Sequence, residues 1–422
     1  SKTHGNQYID LAIKLGAKYC ITDKKFNSKK NKDKILVVED CILFLEKLSK
    51  KKRAIYNGKV IGITGSAGKT TLKENLKYYL KKKFKVSASI KSFNNRLGVI
   101  LSILNLNIKS NYSIFEIGTN NFGEIKKLTS LVLPEQVIIT NINPTHLDNF
   151  QNTRNIAIEK SDIFNPKFNK NINLVILPNS NQDEFFLKKI ARKCKIKNIL
   201  TYGNNIKSNY YVKKIEKINN NSLKLYYNCP KKNFSFKTSN LFDHQILNLT
   251  IPLIIFDFNN LSMKNFSYKI NKIPIAEGRG SHHLVYLNNQ KIKLINESYN
   301  ASPTSMLNSI SYFDDYKISF LNRKIIIIGE MLELGKKTLF FHKNIAINVL
   351  KKEFDIIIFC GEIYKDILSN IRLLGKNVFY LKNEKKIIQF LQNNIQKNDI
   401  ILAKGSNASY VNKMVNIILE KR

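Results

Sequence analysis

The stretch that decides the fold is Val60-Ile61-Gly62-Ile63-Thr64-Gly65-Ser66-Ala67-Gly68-Lys69-Thr70-Thr71. Its apolar first half predicts a buried strand, the glycines after it predict a turn, and a helix follows. Gly65 and Gly68 have no side chains, so a phosphate can approach the backbone there. The N–H groups of the following helix and Lys69 can then bind it. A hydroxyl after the lysine can take a Mg²⁺ position. The stretch therefore indicates a phosphate-binding loop of the shortened form Gly-x-x-Gly-Lys-Thr.

Length and composition predict a globular protein. The chain has 422 residues, 43% of them hydrophobic, which suggests about two to three domains. No segment reaches the roughly eighteen uninterrupted apolar residues of a membrane span, and the start of the chain lacks the apolar core of a signal peptide. The five cysteines show no Cys-x-x-Cys spacing, so neither disulfides nor zinc are expected. We therefore expect a cytoplasmic protein without a membrane span.

The formal net charge of +39 has two explanations. A basic surface could bind nucleic acid by releasing counterions from its phosphates. Lysines nevertheless occur in every segment together with many Asn and Ile, which share A/T-rich codons, and no basic motif with interleaved aromatic residues recurs. A biased genome then explains the charge, and we expect no nucleic-acid partner. A nucleic-acid-binding module stays as the alternative.

Alternating strand and helix patterns predict an α/β protein of three domains. Residues 1–56 predict a small α/β substrate domain, and the basic run Lys50–Arg53 predicts the start of a linker. Residues 57–273 predict a mostly parallel sheet with helices on both faces, extended by hairpins within 210–236. Residues 274–422 predict a Rossmann-like α/β domain, which lacks a Gly-x-Gly-x-x-Gly fingerprint for dinucleotides.

Polar residues follow several strands of the predicted central sheet. Ligands of such sheets bind at the carboxyl ends of the strands, where Glu116 and His146 would meet the phosphate-binding loop. Glu116 could complete a Mg²⁺ site with Thr70, or it could face solvent at the end of its strand. His146 could ligate a metal or be structural. Lys160 alone is uninformative in a chain so rich in lysine.

Three further stretches lie at predicted ligand-binding edges. They are Phe93-Asn94-Asn95-Arg96-Leu97-Gly98, Glu297-Ser298-Tyr299-Asn300-Ala301-Ser302-Pro303 and Ile328-Gly329-Glu330-Met331-Leu332-Glu333-Leu334-Gly335. The first is a polar loop ahead of an apolar helix, as expected where a substrate is bound. The other two join a strand to a helix, and the last could also be an ordinary turn with capping carboxylates.

Taken in order, these motifs resemble the Mur ligase family. The resemblance rests on residues 62–71, Asn94-Asn95 with Gly98, Glu116-Ile117-Gly118 with Gly123-Glu124-Ile125, Thr140-Asn141-Ile142 with His146, His244 with Asn248, Gly278-Arg279, Ser298-Tyr299-Asn300-Ala301, Gly329-Glu330-Met331 with Glu333-Leu334-Gly335, and Lys404-Gly405-Ser406. It covers nearly the whole chain. The Tyr-Asn-Ala and Gly-x-Met-x-Glu-Leu-Gly stretches resemble the family member that adds D-alanyl-D-alanine.

The resemblance implies an ATP-dependent, ADP-forming amide ligase of peptidoglycan precursor synthesis, and so a role in cell-wall growth, cell shape and cell division. Its substrates would be UDP-N-acetylmuramoyl-tripeptide and D-alanyl-D-alanine, joined through an acyl phosphate by a monomer that uses ATP and two Mg²⁺ ions. The alternatives are a Mur-type ligase that adds a single amino acid and a non-catalytic nucleotide-binding remnant. The family's N-terminal domain has more sheet ahead of Gly5 to Ala17, so residues 1–56 are expected to form only part of that domain.

The resemblance also implies a role for each motif. The implied catalytic residues are Lys69, Glu116, His146, Lys160 and Arg279. The implied metal ligands are Thr70, Glu116, His146 and Lys160, the last as a carbamate. The implied ATP contacts are Gly65, Ser66, Ala67, Gly68, Lys69, Thr70, Thr71, Asn248, Arg279 and Glu297. The implied substrate contacts are Asn94, Asn95, Tyr299, Asn300 and Lys404.

Overall fold

The computed structural model describes residues 5–24, 32–219, 222–239, 241, 243–264, 275–316, 322–370, 375 and 377–420. Over these ranges the predicted α/β class is confirmed, with helices alternating with mostly parallel strands. The predicted domain boundary after residue 273 lies outside the described residues. In the part of the chain that is described, no helix is both long and apolar enough to cross a membrane.

The first unit is small and is made of short elements. Helix α1 (Ile9–Lys14) precedes strands β1 (Cys20–Thr22) and β2 (Ile35–Val37), which pair in parallel. Helix α2 (Cys41–Ala54) then leads toward the central sheet. A two-stranded sheet buries little apolar surface by itself, so this unit depends on packing against its neighbour.

The predicted linker at Lys50–Arg53 is wrong, because helix α2 continues through it. Arg53 is only 8% exposed. Its guanidinium donates from Nε to the carbonyl of Val132 at 2.6 Å and from Nη2 to that of Leu133 at 2.9 Å. These carbonyls end a helix of the central domain and lack intrahelical partners. The basic run therefore docks the first unit onto the central domain instead of separating the two.

The central sheet has the strand order β11-β10-β9-β8-β7-β6-β3-β5-β4 among the described residues. Pairing is parallel from β4 to β9 and antiparallel from β9 to β11, which confirms the hairpin extension. Its strands are β3 (Lys59–Thr64), β4 (Val86–Ala88), β5 (Tyr112–Glu116), β6 (Gln136–Ile139), β7 (Leu174–Pro178), β8 (Ile199–Gly203), β9 (Tyr210–Asn219), β10 (Ser222–Asn228) and β11 (Phe234–Ser239).

Helices cover both faces of this sheet, as predicted. Neighbouring residues of one strand enter opposite cores: Ile61 packs with Leu76 and Leu249, whereas Val60 packs with Val99 and Leu187. This follows from the two-residue alternation of a strand. The helices are α3 (Lys69–Leu80), α4 (Arg96–Leu104), α5 (Glu124–Val132), α6 (Leu147–Phe150), α7 (Thr153–Ser161), α8 (Gln182–Lys193) and α9 (Asp243–Phe258).

The C-terminal domain has the strand order β12-β13-β17-β14-β15-β16 within the described ranges. Strand β12, which the sequence patterns did not predict, pairs antiparallel with β13, and the other pairs are parallel. The strands are β12 (Ser281–Leu287), β13 (Gln290–Glu297), β14 (Lys324–Ile328), β15 (Ile356–Phe359), β16 (Val378–Tyr380) and β17 (Ile400–Lys404). The helices are α10 (Pro303–Asp314), α11 (Thr338–Leu350), α12 (Glu362–Ser369), α13 (Glu384–Asn394) and α14 (Tyr410–Glu420).

The substitution Arg53→Ala is expected to lower the free energy of unfolding by about 2–4 kcal/mol, because it leaves buried carbonyls without a donor. Urea denaturation would measure this loss. The matched control is Lys50→Ala on the same helix, which breaks an exposed pair with Glu46 and should change stability by less than about 1 kcal/mol. Equal effects of the two substitutions would contradict the docking role of Arg53.

Candidate active site

The phosphate-binding loop, residues 65–69, is held by the segment that follows β6. Gly65 has a φ of +143°, and a Cβ there would overlap the hydroxyl of Thr140. The amide oxygen of Asn141 accepts the N–H of Ala67 at 2.9 Å. These contacts fix the backbone of the loop at the carboxyl edge of the sheet, next to the N-terminus of α3.

A cavity of about 150 Å³ opens beside this loop, between the central and C-terminal domains. A Cβ on Gly68 would lie 3.0 Å from Nδ2 of Asn248, so this asparagine stands directly against the loop. Among the predicted site residues, the cavity is lined by Ala67, Gly68, Thr71, Asn248, Arg279, Glu297, Asn300 and Lys404. Ser66 and Asn143, next to the cavity, exchange hydrogen bonds of 3.0 Å. The structure thus brings residues from both large domains to one cavity.

Thr70 and Glu116 meet at the centre of the site. Thr70 Oγ1 donates to Glu116 Oε2 at 2.8 Å, and Glu116 is only 1% exposed, so it does not face solvent. Asn94 Nδ2 donates to the other carboxylate oxygen at 2.8 Å. Arg279, from the start of the C-terminal domain, donates from Nη2 to Thr70 Oγ1 at 3.2 Å. One hydroxyl and one carboxylate therefore join three distant parts of the chain.

Two lysines face this region. Lys69 Nζ donates to the carbonyl of Gly65 at 2.8 Å. Burial lowers the pKa of Lys69, Arg279 lowers it further, and Glu116 opposes the shift. Lys160 is only 3% exposed, and burial together with the charge of Lys69 holds its pKa well below its usual value. Its amine therefore loses its proton more readily than that of a surface lysine.

His146 contacts the C-terminal domain. Its Nδ1 pairs with Oε2 of Glu333, and the N–H of Leu147 donates to the carbonyl of Glu333 at 3.1 Å. His146 and Glu333 both have left-handed backbones, with φ of 51° and 64°. Burial lowers the pKa of His146, Glu333 raises it, and Lys160 and Lys69 lower it. His146 thus lies within electrostatic reach of both lysines, but its direct partner is Glu333.

The predicted residues of the C-terminal domain form two contacts. Lys404 Nζ donates to Glu297 Oε2 and to the carbonyl of Asn300, both at 2.9 Å, in a buried pair. The guanidinium of Arg279 lies 4.5 Å from the centroid of the Tyr299 ring. Stacking of this kind restrains a long side chain. Tyr299 therefore supports Arg279 in its reach toward the loop.

Asn95 has a structural contact of its own. Its Oδ1 accepts the N–H of Gly98 at 2.9 Å and so caps helix α4. Asn94 and Asn95 also line a second cavity, of about 620 Å³, between α2 and the central sheet. On its wall, Arg96 donates to Glu46 of α2 from Nε and Nη2 at 3.0 and 2.7 Å. This cavity runs from the residue that binds Glu116 to the N-terminal unit.

Four side chains of the site were not predicted as site residues. They are Ser92, Asn141, Asn143 and Glu333. Asn141 and Asn143 could have been found, because they lie in the polar stretch directly after β6, at the expected ligand edge. Glu333 lies in a stretch that is predicted at a ligand-binding edge, but nothing in the local pattern identifies its contact with His146 or that of Ser92 with Thr70.

Comparison with known proteins assigns most of the chain to one family. The Mur ligase middle domain matches residues 63–255, and the Mur ligase, glutamate ligase domain matches residues 284–407. The UDP-N-acetylmuramoyl-tripeptide--D-alanyl-D-alanine ligase of Rickettsia prowazekii is 31% identical over 415 residues, which are 98% of this chain and 89% of that protein. The ligase of the same name from Borreliella burgdorferi is 29% identical over 429 residues, covering 99% and 88%.

Solved structures share the fold. MurF from Acinetobacter baumannii matches with a TM-score of 0.82 at 21% identity, covering 100% of this chain and 89% of that one. MurF from Thermotoga maritima in complex with ADP matches with a TM-score of 0.80 at 24% identity, covering 100% and 93%. At these identities the match supports the arrangement of helices and strands.

The buried amine of Lys160 predicts a pH-dependent stability. Its pKa is lowered in the folded state, so from that pKa up to about 10.4 the unfolded chain binds more protons, and stability rises with pH. Lys160→Met, measured without CO₂ or nucleotide, should therefore be more stable than the natural protein at pH 7, by about 1 kcal/mol or more. This gain should shrink toward pH 10. Urea denaturation across this range tests it, with exposed Lys167→Met as the control, and a pH-independent gain would contradict the assignment.

Proposed function

The chain belongs to the Mur ligase family, and from this premise we propose that it is the ATP-dependent, ADP-forming ligase that joins D-alanyl-D-alanine to UDP-N-acetylmuramoyl-tripeptide. Relatives named for that activity align with nearly the whole chain. The product is a peptidoglycan precursor, which serves cell-wall growth, shape and division. The observation that carries the proposal is the chain of hydrogen bonds from Arg279 through Thr70 to Glu116.

The two cavities suggest how the substrates are divided among the domains. We assign the sugar-nucleotide substrate to residues 1–56 together with the 620 Å³ cavity, which Asn94 and Asn95 line. ATP is assigned to residues 57–273, with Asn248 near the adenine, and Glu297 of the C-terminal domain is assigned a place near the ribose. D-alanyl-D-alanine is assigned to residues 274–422, with Tyr299, Asn300 and Lys404 as its contacts. The 150 Å³ cavity supports the last two assignments, because both domains line it.

The first step activates a carboxylate. The terminal carboxylate of the tripeptide attacks the γ-phosphorus of ATP, the bond to ADP breaks, and the electron pair leaves with ADP. Lys69 and the N–H groups at the N-terminus of α3 neutralise the negative charge on the phosphoryl oxygens, and Arg279 reaches the same region from the C-terminal domain. The product is an acyl phosphate, whose phosphate is a far better leaving group than the oxygen of a free carboxylate.

The second step forms the amide. The neutral amine of D-alanyl-D-alanine attacks the acyl carbon, inorganic phosphate leaves with the electrons of the acyl–oxygen bond, and the proton that the amine loses passes to the leaving phosphate. Holding the amine and the acyl phosphate together contributes at most about 7–11 kcal/mol to lowering the barrier. The contact of Lys404 with Glu297 offsets the charge of this buried lysine, so it can orient a dipeptide without repelling the amine.

The side chains fit the metal ions that the family implies. Thr70 Oγ1 and Glu116 Oε2 are hard oxygen donors 2.8 Å apart, which suits Mg²⁺. Within the described ranges, no three His, Cys, Asp or Glu side chains cluster as a metal site. We assign one Mg²⁺ to Thr70 and Glu116, and a second to His146 and Lys160. The lowered pKa of Lys160 favours loss of its proton, which a lysine needs in order to take up CO₂ as a carbamate. Bound Mg²⁺ would supply further neutralisation of phosphate charge.

We also assign a compartment and an oligomeric state to the reaction. Both nucleotides are cytoplasmic compounds, so the reaction is assigned to the cytoplasm. A single chain lines both cavities, so a monomer is sufficient for the reaction.

A coupled phosphate-release assay tests the proposed function over a panel of UDP-muramoyl peptides and amines. We expect ATP hydrolysis only when the UDP-tripeptide and D-alanyl-D-alanine are both present, and none with Lys69→Ala. Release with a single amino acid would instead assign a sibling ligase. ATP binding without ligation would indicate a non-catalytic nucleotide-binding protein, and salt-sensitive duplex binding unaffected by ATP would indicate a nucleic-acid module.

Glu116→Gln is expected to lower kcat/KM by about 10²–10³, because it removes a negative oxygen donor from the centre of the site. Initial rates at saturating ATP and varied UDP-tripeptide measure kcat/KM for the UDP-tripeptide. Exposed Glu362→Gln, on the C-terminal domain, is the matched control and should stay near full activity. Full activity of Glu116→Gln would refute the proposed role of this carboxylate.

A further inference from the structure

Lys73 is a buried lysine without a role in the proposed reaction. It lies one helical turn after Lys69 on α3 and is fully buried. Its ammonium donates to the carbonyl of Ser89 at 2.9 Å and also contacts the carbonyl of Lys91. Partly exposed Glu74 lies 3.1 Å away. Burying an ammonium is costly unless hydrogen bonds and a countercharge offset it, so its position requires an explanation.

Both carbonyls belong to residues 89–95, which we call the positioning segment. This segment supplies a partner to each member of the central pair. Ser92 Oγ lies 3.1 Å from Thr70 Oγ1, and Asn94 Nδ2 donates to Glu116 at 2.8 Å. Because the Thr70 hydroxyl hydrogen is used toward Glu116, the serine is the donor in the first of these contacts.

The backbone of the positioning segment is held at both ends, and at its far end the carbonyl of Asn94 accepts the N–H of Gly118 at 2.8 Å. Lys91 has a left-handed φ of 44°, which is unfavourable for a residue with a side chain. Ser89 donates its N–H to the carbonyl of Ile114 at 2.9 Å, and its hydroxyl accepts the N–H of Glu116 at 3.0 Å. The contacts of Lys73 therefore fall on the stretch that runs from the end of strand β4 to the side chains that bind Thr70 and Glu116.

We propose that Lys73 is a positioning residue for the central pair. Its ammonium fixes the positioning segment, so that Ser92 and Asn94 hold Thr70 and Glu116 in their binding orientation. The inference rests on the proposed function for the role of that pair. Without Lys73, the carboxylate of Glu116 gains rotational freedom. Asn141 holds the phosphate-binding loop independently, so binding of the nucleotide phosphates in the absence of metal should persist.

The test compares Lys73→Met with Lys77→Met, a half-buried lysine one turn further along α3. The Kd of a fluorescent ADP analogue is measured without metal and across a Mg²⁺ titration, a readout that needs no turnover. Lys73→Met should keep the metal-free Kd within about threefold. It should raise the Mg²⁺ concentration at the midpoint by about tenfold or more, as expected when a residue that orients the metal ligands is lost. Lys77→Met should change neither value. Lys73→Arg, which keeps the charge and donors, should recover much of the loss.

An unchanged Mg²⁺ midpoint in folded Lys73→Met would overturn the inference, as would an equal loss of metal-free and metal-dependent binding. Circular dichroism establishes folding, and Lys73→Gln, which keeps one amide donor, gives the same comparison if Lys73→Met does not fold. Phosphate release by the natural protein is measured in parallel. A protein that does not ligate but shows the shifted midpoint in Lys73→Met would refute the proposed function and support the positioning role.

Discussion

The hydrogen bond between Thr70 and Glu116 depends on the register of the central sheet. Thr70 lies in the first turn of α3, after the loop that follows strand β3, and Glu116 is the last residue of β5. The two strands are parallel neighbours in which Ile63 pairs with Glu116, so the carboxylate reaches the start of α3. A shift by one residue would turn Glu116 to the opposite face of the sheet and break the contact. The hydrogen bond between Thr70 and Glu116 therefore depends on the pairing of these strands and on the conformation of the phosphate-binding loop. Arg279 reaches the same threonine.

Much of the fold could be predicted from local pattern. Strand β5 is a short apolar run between polar residues, and this pattern alone predicts a strand over Tyr112–Glu116, as observed. Strand β12 was not predicted, because His282 and His283 interrupt its apolar alternation and the local sequence does not encode its pairing with β13. The charged run ending at Arg53 was misread because charged residues usually face solvent. Arg53 is an exception to this rule, because the fold brings its guanidinium to two helix-end carbonyls that are distant in sequence.

The candidate site divides in the same way. Glu116 and Asn94 could be placed because the carboxyl edge of a parallel sheet gathers the residues that follow its strands. The contact of His146 with Glu333 joins two domains, and no periodicity in either segment encodes it. In so basic a chain, the presence of a lysine does not by itself indicate a functional site. Only the structure shows that Lys73 and Lys160 are buried, unlike the surface lysines.

The two interfaces of the central domain differ in kind. Arg53 joins it to the first unit through buried bonds with helix-end carbonyls. On the other side, the contact of His146 and Leu147 with Glu333 uses partly exposed groups, and Phe341 of the C-terminal domain packs against the core of the central domain. The buried bonds of Arg53 therefore fix α2, which supplies one wall of the larger cavity. The smaller cavity is lined by residues of both large domains, so its shape depends on how these two domains pack against each other.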